Sequence, residues 1–244
     1  MSYSKRIVKS LVHAAGFDLH RLTPSSNSSF QLLTALNRFG VDLVLDVGAN
    51  VGQFASELRS VGYRGNLVSY EPLSGAHRAL LAAASRDAKW RVHPRCAIGD
   101  HDGEINFNIA GNSVSSSVLP MMESHSSAAE GSAYVGAETV PIYRLDSVVP
   151  MDLAGSGRPF LKIDTQGSEW QVLDGAGKTL ARVQGVLCEL SLVALYQGQR
   201  LWMDLIHRLE NEGFVLWSIQ QGFTDPRDGR TLQIDATFFR RVLL

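Results

Sequence analysis

The sequence predicts a single α/β domain on a doubly wound, mostly parallel seven-stranded sheet with an antiparallel edge strand. Three observations carry this. Short runs at 41–47, 66–71, 159–164 and 183–189, largely apolar and several rich in β-branched residues, read as buried parallel strands, and 91–98 as a further one. Segments with apolar residues at helical spacing alternate with them, the βαβ rhythm of such a sheet. The last two runs, 214–219 and 234–239, have no clear helix between them and a tight Asp228-Gly229 turn in the link, so they close the sheet as an antiparallel pair. At 244 residues and 45% hydrophobic composition, the chain can bury the core of one globular domain.

Residues 1–39 are expected to form an N-terminal helical extension and linker, and residues 40–244 the domain itself. Ile7, Val8, Leu11, Val12 and Ala15 share one face of a helix over 3–15, with Lys5, Arg6 and Lys9 on another. That face is expected to dock on the domain, with peripheral contact to a membrane as the alternative. Thr23 to Ser29 reads as a linker and 30–39 as a helix. Behind the first strand, Phe54, Leu58 and Val61 place a helix that Gly62 stops. Pro72 ends the second strand, and the alanine-rich 74–85 is its crossover helix. The third strand, 91–98, closes on Gly99-Asp100.

Glu104 to Ile109 alternates and pairs with Glu138 to Tyr143 as a peripheral hairpin. The connection between them, about 110–137, is too long for an ordinary loop and reads as a lid or insertion. Within it, His125 is expected to be a solvated loop residue. Gly167 marks a turn before a helix over 168–173, where Glu169 in the first turn complements the helix dipole. Leu201, Leu205 and Leu209, with Trp202 and Ile206, give an amphipathic helix stopped by Gly213.

Composition narrows the partners. A net charge of −1 gives no general pull toward phosphate, so no nucleic-acid partner is expected. Cys96 and Cys188 each lie inside an apolar run without metal-ligand spacing and read as buried core thiols. No apolar run is long enough to span a bilayer, and the basic N-terminus lacks a secretory pattern. A cytoplasmic location is expected, with possible contact at the inner membrane face through residues 3–15. The oligomeric state is left open.

The chemistry gathers at residues 44–52. Gly48 and Gly52 sit where the first strand hands over to a helix, so a ligand can approach bare backbone along Ala49, Asn50 and Phe54 at the helix N-terminus. The second strand ends in Glu71, placed to accept both hydroxyls of a ribose, with Pro72 beside it. A dinucleotide fingerprint would need glycine where Asn50 and Gln53 stand. Asp46 is poorly placed for a pyrophosphate but suits an ammonium. A ligand with a ribose at one end and an amino acid at the other is S-adenosylmethionine, its adenine walled by Ala97 and Ile98. A nicotinamide-dependent oxidoreductase and a non-catalytic nucleotide-binding module are the alternatives.

The ordered blocks DVGANVGQF, YEP, CAIGD, LKIDTQGSE and LCELS resemble the motifs of the FkbM-type family of S-adenosylmethionine-dependent methyltransferases, over roughly residues 40–240. The resemblance implies the Rossmann-like class I methyltransferase fold. It also implies methylation of a sugar hydroxyl on a glycolipid or other glycosylated small molecule. Ser113 to Ser117 resembles a family segment near the cofactor, which makes Ser115 and Ser116 contact candidates. Asp100 holds the position where resembling enzymes bind the adenine amine, and it can equally cap a turn with Gly103.

Asp46, Glu71, Asp164 and Glu189 end four strands along the sheet edge where open α/β folds bind ligands. Methyl transfer is an in-line displacement, and a positioned base helps a hydroxyl acceptor by about 10²–10⁴-fold. Asp164 is the first candidate base and Glu189 the second. No metal is expected, because Leu190 and Ser191 follow Glu189 where a partner ligand would be needed.

Overall fold

A computed structural model describes residues 3–17, 19, 22–149 and 157–241. The chain runs α1 (Tyr3–Ala14), α2 (Ser28–Arg38), β1 (Leu43–Val47), α3 (Gln53–Ser60), β2 (Asn66–Tyr70), α4 (Ser74–Ala84), β3 (Trp90–Val92) and β4 (Ala97–Gly99). It continues β5 (Gly103–Ala110), α5 (Glu123–Ser126), β6 (Tyr134–Arg144), α6 (Leu145–Val148), β7 (Pro159–Ile163), α7 (Glu169–Asp174) and α8 (Gly177–Leu180). β8 (Gly185–Ser191), α9 (Trp202–Asn211), β9 (Phe214–Gln221) and β10 (Gln233–Arg240) complete it.

The main sheet has seven strands in the order β3-β2-β1-β7-β8-β10-β9. The first five are parallel, while β10 runs against both β8 and β9. The expected antiparallel edge is therefore present, with the reversed strand one place in from the rim. Strand order reverses between β1 and β7, and open α/β sheets bind ligands at such a point.

Residues 91–98 do not form one strand. Trp90–Val92 pairs with β2, whereas Ala97–Gly99 pairs with β6 in a separate three-stranded sheet. The break falls at His93-Pro94-Arg95-Cys96, where Pro94 has no N–H to continue a ladder. The β5–β6 hairpin forms as expected, with Glu104 opposite Pro141 and Ile109 opposite Gly136. Its apolar side, Phe107, Val140 and Ile142, packs on Leu73 and Ala76 and so lies beside the end of β2.

Alternation along the strands sorts the core into two layers. Leu45, Ile163, Cys188 and Phe238 face α7 and α9 through Val172, Leu173, Leu205 and Leu209. Val44, Phe160, Leu187 and Phe239 face α2 and α3 through Leu36, Ala55 and Leu58. Burying Leu36 completely contributes about 1.5–3 kcal/mol to docking α2. That helix starts at Ser28, inside the expected linker, because the Asn27 side chain caps it by accepting the Phe30 N–H at 2.8 Å.

Cys96 and Cys188 are buried and free of disulfide bonds. The side chains of Lys5, Arg6, Ile7 and Leu11, on which the two readings of the first helix turn, lie outside the described residues. Among the described residues no helix is long and apolar enough to cross a membrane.

Candidate active site

A cavity of about 780 Å³ opens along the carboxyl ends of β1, β2, β7 and β8. Gly48, Ala49, Asn50, Phe54, Glu71, Pro72, Ala97, Ile98, Ser115, Ser116, Asp164 and Glu189 all line it. Asp46 and Gly52 do not.

Both glycines of the first turn answer to the protein's own packing. A Cβ on Gly48 (φ +75°) would fall 1.8 Å from the backbone oxygen of Asp164. One on Gly52 (φ +91°) would meet the Trp90 ring at 2.8 Å. Gly48 therefore lets the ends of β1 and β7 touch, and Gly52 turns the chain into α3 over Trp90. Between them Asn50 takes a left-handed backbone (φ 46°), which asparagine tolerates. Its N–H donates to Glu71 Oε2 at 2.8 Å, and the Leu73 N–H donates to Oε1 at 2.9 Å. Glu71 thus pins the loop to the end of β2. Burial pushes its carboxyl up to about 7, against the pull of those two N–H groups and of Lys162.

Beyond β1 the site is a row of carboxylates. Asp235 on β10 lies directly opposite Glu189 on β8 and opposite Gln220 on β9. Asp164 follows Ile163, which is in register with Cys188, so it falls beside Glu189. In-register neighbours point to one face, and this face looks toward Ser29, Gln53 and Glu57 of α2 and α3 across the cavity. Burial and the neighbouring Asp164, Glu169 and Asp235 push Glu189 well above the usual carboxylate range. Burial and Asp164 push Asp235 up to about 6.

One layer below this row, Lys162 stands opposite Asp46. Its ammonium is 3.1 Å from Asp46 Oδ1 and 3.6 Å from Asp164 Oδ2, and it donates to the Gly48 carbonyl at 2.9 Å. The other Asp46 oxygen accepts the Ser69 hydroxyl at 3.1 Å. Asp46 is completely buried. Its expected place at a ligand's ammonium is taken by Lys162, because the strand register sets the two side chains face to face.

The sequence model of the FkbM methyltransferase domain matches residues 46–216, from the first strand's acid to β9. The chain belongs to the FkbM methyltransferase family. Its fold is the class I methyltransferase fold, and S-adenosylmethionine is its cofactor. No curated protein matches the chain. Solved structures with a similar fold include magnesium protoporphyrin IX methyltransferase from Synechocystis PCC 6803 with bound S-adenosylmethionine (10% identity, 99% of each chain, TM-score 0.47). An O-methyltransferase from Bacillus cereus with S-adenosylhomocysteine is another (12% identity, 98% of this chain and 92% of that one, TM-score 0.48). A third is described as a putative tRNA (m1A22) methyltransferase from Streptococcus pneumoniae, in complex with S-adenosylmethionine (14% identity, 88% and 74% covered, TM-score 0.46).

The residues of this FkbM methyltransferase fit that cofactor. Leu73, Ala97, Phe107 and Ile142 pack as one apolar cluster and, with Ile98 and Glu71, line the cavity, a setting compatible with an adenine beside a ribose. The Asn50 side-chain oxygen is buried there without a partner. Six carboxyl groups line the cavity, and the one lysine among the lining residues, Lys162, is already paired with Asp46 and Asp164, which leaves room for a cationic sulfonium. Asp100 sits at the rim, 2.6 Å from the His101 ring. The turn there is held instead by Asp102, which accepts the Arg144 N–H at 2.7 Å.

The 110–137 segment packs over the cavity. Ser117 bridges back to Asn108, and Met121 bridges to Tyr196. His125 is not solvated: it is 3% exposed, with Nε2 2.9 Å from the Ser115 hydroxyl and its ring beside Tyr196 and Phe223. Burial pulls its imidazole down to about 4. The aromatic and apolar residues that enclose it come from two later segments, which local sequence could not reveal. Glu169 is also more than a dipole partner. It is buried and accepts the Thr165 and Gly167 N–H groups at 3.0 and 3.1 Å, closing the turn after β7.

Sequence reasoning missed Lys162, Gln166, Tyr196, Gln233 and Asp235. Lys162 and Asp235 did leave a signal, a lone charge inside an apolar strand (FLKID, QIDAT). Gln166 gave none, although Asn50, Ser113 and Gln166, the described non-glycine residues with positive φ, all line the cavity. Such backbone strain gathers at functional sites.

Proposed function

We propose that this FkbM methyltransferase transfers a methyl group to a hydroxyl oxygen of a neutral sugar, free or carried on a lipid. The observation that carries this reading is the row Asp164, Glu189, Asp235 and Gln220, flanked by the amides of Gln166 and Gln233. Carboxylates and amides side by side offer both acceptors and donors, which a polyol needs because each hydroxyl both gives and takes a hydrogen bond. The same acids repel a phosphate-rich acceptor. Exposed Phe17, Leu19 and Leu22 beyond α1 add apolar surface that suits a lipid-borne sugar.

The cofactor supplies an electrophilic methyl on a sulfonium. Asp164, about a third exposed at the cavity wall, takes the proton of the hydroxyl whose oxygen would displace the cofactor's sulfur from the methyl group, S-adenosylhomocysteine being the leaving group. Glu189, held toward its neutral form, donates to a neighbouring sugar oxygen, and Asp235 and Gln220 beside it help orient the ring. Lys162 offsets the charge of Asp46 and Asp164, so the row can hold an ionised base without expelling it. Residues 110–137 act as the lid that keeps water from the transfer.

The test is transfer of a labelled methyl from S-adenosylmethionine to a panel of neutral glycosides and glycolipids, with RNA and protein as comparators. The expected product is a labelled sugar ether. Label found only in RNA or protein overturns the reading.

A further inference from the structure

Gln166 occupies a junction between two parts of the site. Its side-chain nitrogen is 2.9 Å from Asp164 Oδ1 and 2.8 Å from Glu189 Oε2, so its two hydrogens serve one carboxylate each. Its side-chain oxygen faces the Tyr196 hydroxyl at 3.0 Å. That contact fixes the amide's orientation, because the flipped amide would set its oxygen against two carboxyl groups. Its backbone oxygen accepts the Ser117 hydroxyl at 2.7 Å. Tyr196 is fully buried and its hydroxyl also lies 3.0 Å from the Ser115 carbonyl, so both contacts lead into the 115–117 segment. The residue takes a left-handed backbone (φ 53°), which glutamine adopts only when its surroundings hold it there.

We propose that Gln166 is a positioning residue: its amide sets the spacing of Asp164 and Glu189, and its contacts with Ser117 and Tyr196 make that spacing depend on the seating of the 115–117 segment. The inference rests on the reading of Asp164 and Glu189 as the acceptor's acids. Filling the cofactor end of the cavity, where Ser115 and Ser116 lie, then prepares the acid pair for the acceptor. Gln233, donating to the same Glu189 oxygen at 2.6 Å, holds that carboxyl from the other side. The other titratable and charged groups around Glu189 are Glu169, Asp235, Lys162, Cys188 and Tyr196.

Gln166→Leu, Gln166→Asn and Tyr196→Phe test this in the full chain with three measurements. Calorimetry with S-adenosylhomocysteine should show cofactor affinity retained in all three. Carbon-13 NMR of the Glu189 carboxyl, assigned with Glu189→Gln, should show it titrating at still higher pH in Gln166→Leu, which loses a donor to the ionised form. Tyr196→Phe, which frees the amide oxygen and the Ser115 carbonyl but keeps both amide hydrogens of Gln166, should move it in the same direction by less. Turnover of Gln166→Leu should fall by about 10²-fold, as expected when a reacting group is misplaced by an ångström. Gln166→Asn should recover part of the titration. An unmoved Glu189 titration in Gln166→Leu, or loss of S-adenosylhomocysteine binding in step with turnover, overturns the proposal. The first two measurements need no acceptor, so they still decide the role of Gln166 if no sugar is methylated.

Discussion

Lys162 on β7 faces Asp46 on β1, ammonium to carboxylate at 3.1 Å, with both side chains almost wholly removed from water. Burial alone pulls the Lys162 ammonium down, but the charges of Asp46 and Asp164 outweigh it and hold the lysine protonated. The pair joins the two strands that flank the point where strand order reverses. Replacing it with apolar residues need not destabilise the fold, whereas removing one partner leaves a lone buried charge.

Lys162→Met is therefore expected to lose about 3–5 kcal/mol of folding stability, since Asp46 would keep its charge or take up a proton in a sealed site. Urea unfolding measures this. Adding Asp46→Leu should restore much of the loss, and a double variant no more stable than Lys162→Met would show that the pairing is not the cause.

Gly48→Ala should damage the fold as well as the site. The new methyl would overlap the Asp164 backbone oxygen at 1.8 Å, and φ +75° strains any side chain. The expected result is a lowered melting temperature even without cofactor. A variant that melts like the parent but binds no S-adenosylhomocysteine would return this glycine to a purely ligand-facing role.

Glu71 gives the free protein a defined pH dependence. Its carboxyl rises from an ordinary 4.5 to about 7 on folding, so the folded chain holds this proton more tightly than the unfolded chain. The stability it contributes is full below about 4.5 and is lost as pH rises through about 7. With Glu71 in its proposed place at the ribose, whose hydroxyls donate best to the ionised form, cofactor affinity should rise over the same interval. Calorimetry and thermal melts across that range should show the two opposed contributions; Glu71→Gln should flatten the affinity profile and remove Glu71's share of the stability profile, leaving the shares of Asp235, Glu189 and His125. A Glu71→Gln variant that keeps the parent's affinity profile would contradict the assignment.

Asp164→Asn keeps the size of the side chain and removes its basicity. Turnover should drop by about 10²–10⁴-fold while S-adenosylhomocysteine still binds. Single-turnover measurements separate the two effects, and near-normal turnover would move the base to another residue of the row.

The parallel strands, their acids and the glycine turn were legible because each is a local pattern: a short apolar run, a charge at its end, glycine at the handover. The division of 91–98 between two sheets was missed: Pro94 marks the break, but the sheet that Ala97–Gly99 joins is set by β6, whose paired residues Ile142 to Arg144 lie far along the chain. Within the candidate site the motif blocks were enough to name residues that line the cavity, Gly48, Asn50, Glu71 and Asp164 among them. Asp235 was not legible, because it joins Asp164 and Glu189 only through the register of β10 on β8. The burial of His125 likewise depends on Tyr196 and Phe223, about 70 and 100 residues away. Asp46 was assigned to a ligand because nothing near it in the chain announces that Lys162 will arrive opposite.

The insertion of β10 between β8 and β9 makes the rim of the sheet depend on a strand that follows it in the chain. A polypeptide cut before residue 233 would leave β9 without its ladder partner β10, its backbone groups open to another chain beside the outward Trp217 and Ile219. The same cut would take Gln233 and Asp235 from beside Glu189, so the acid row and the rim of the sheet would be lost together.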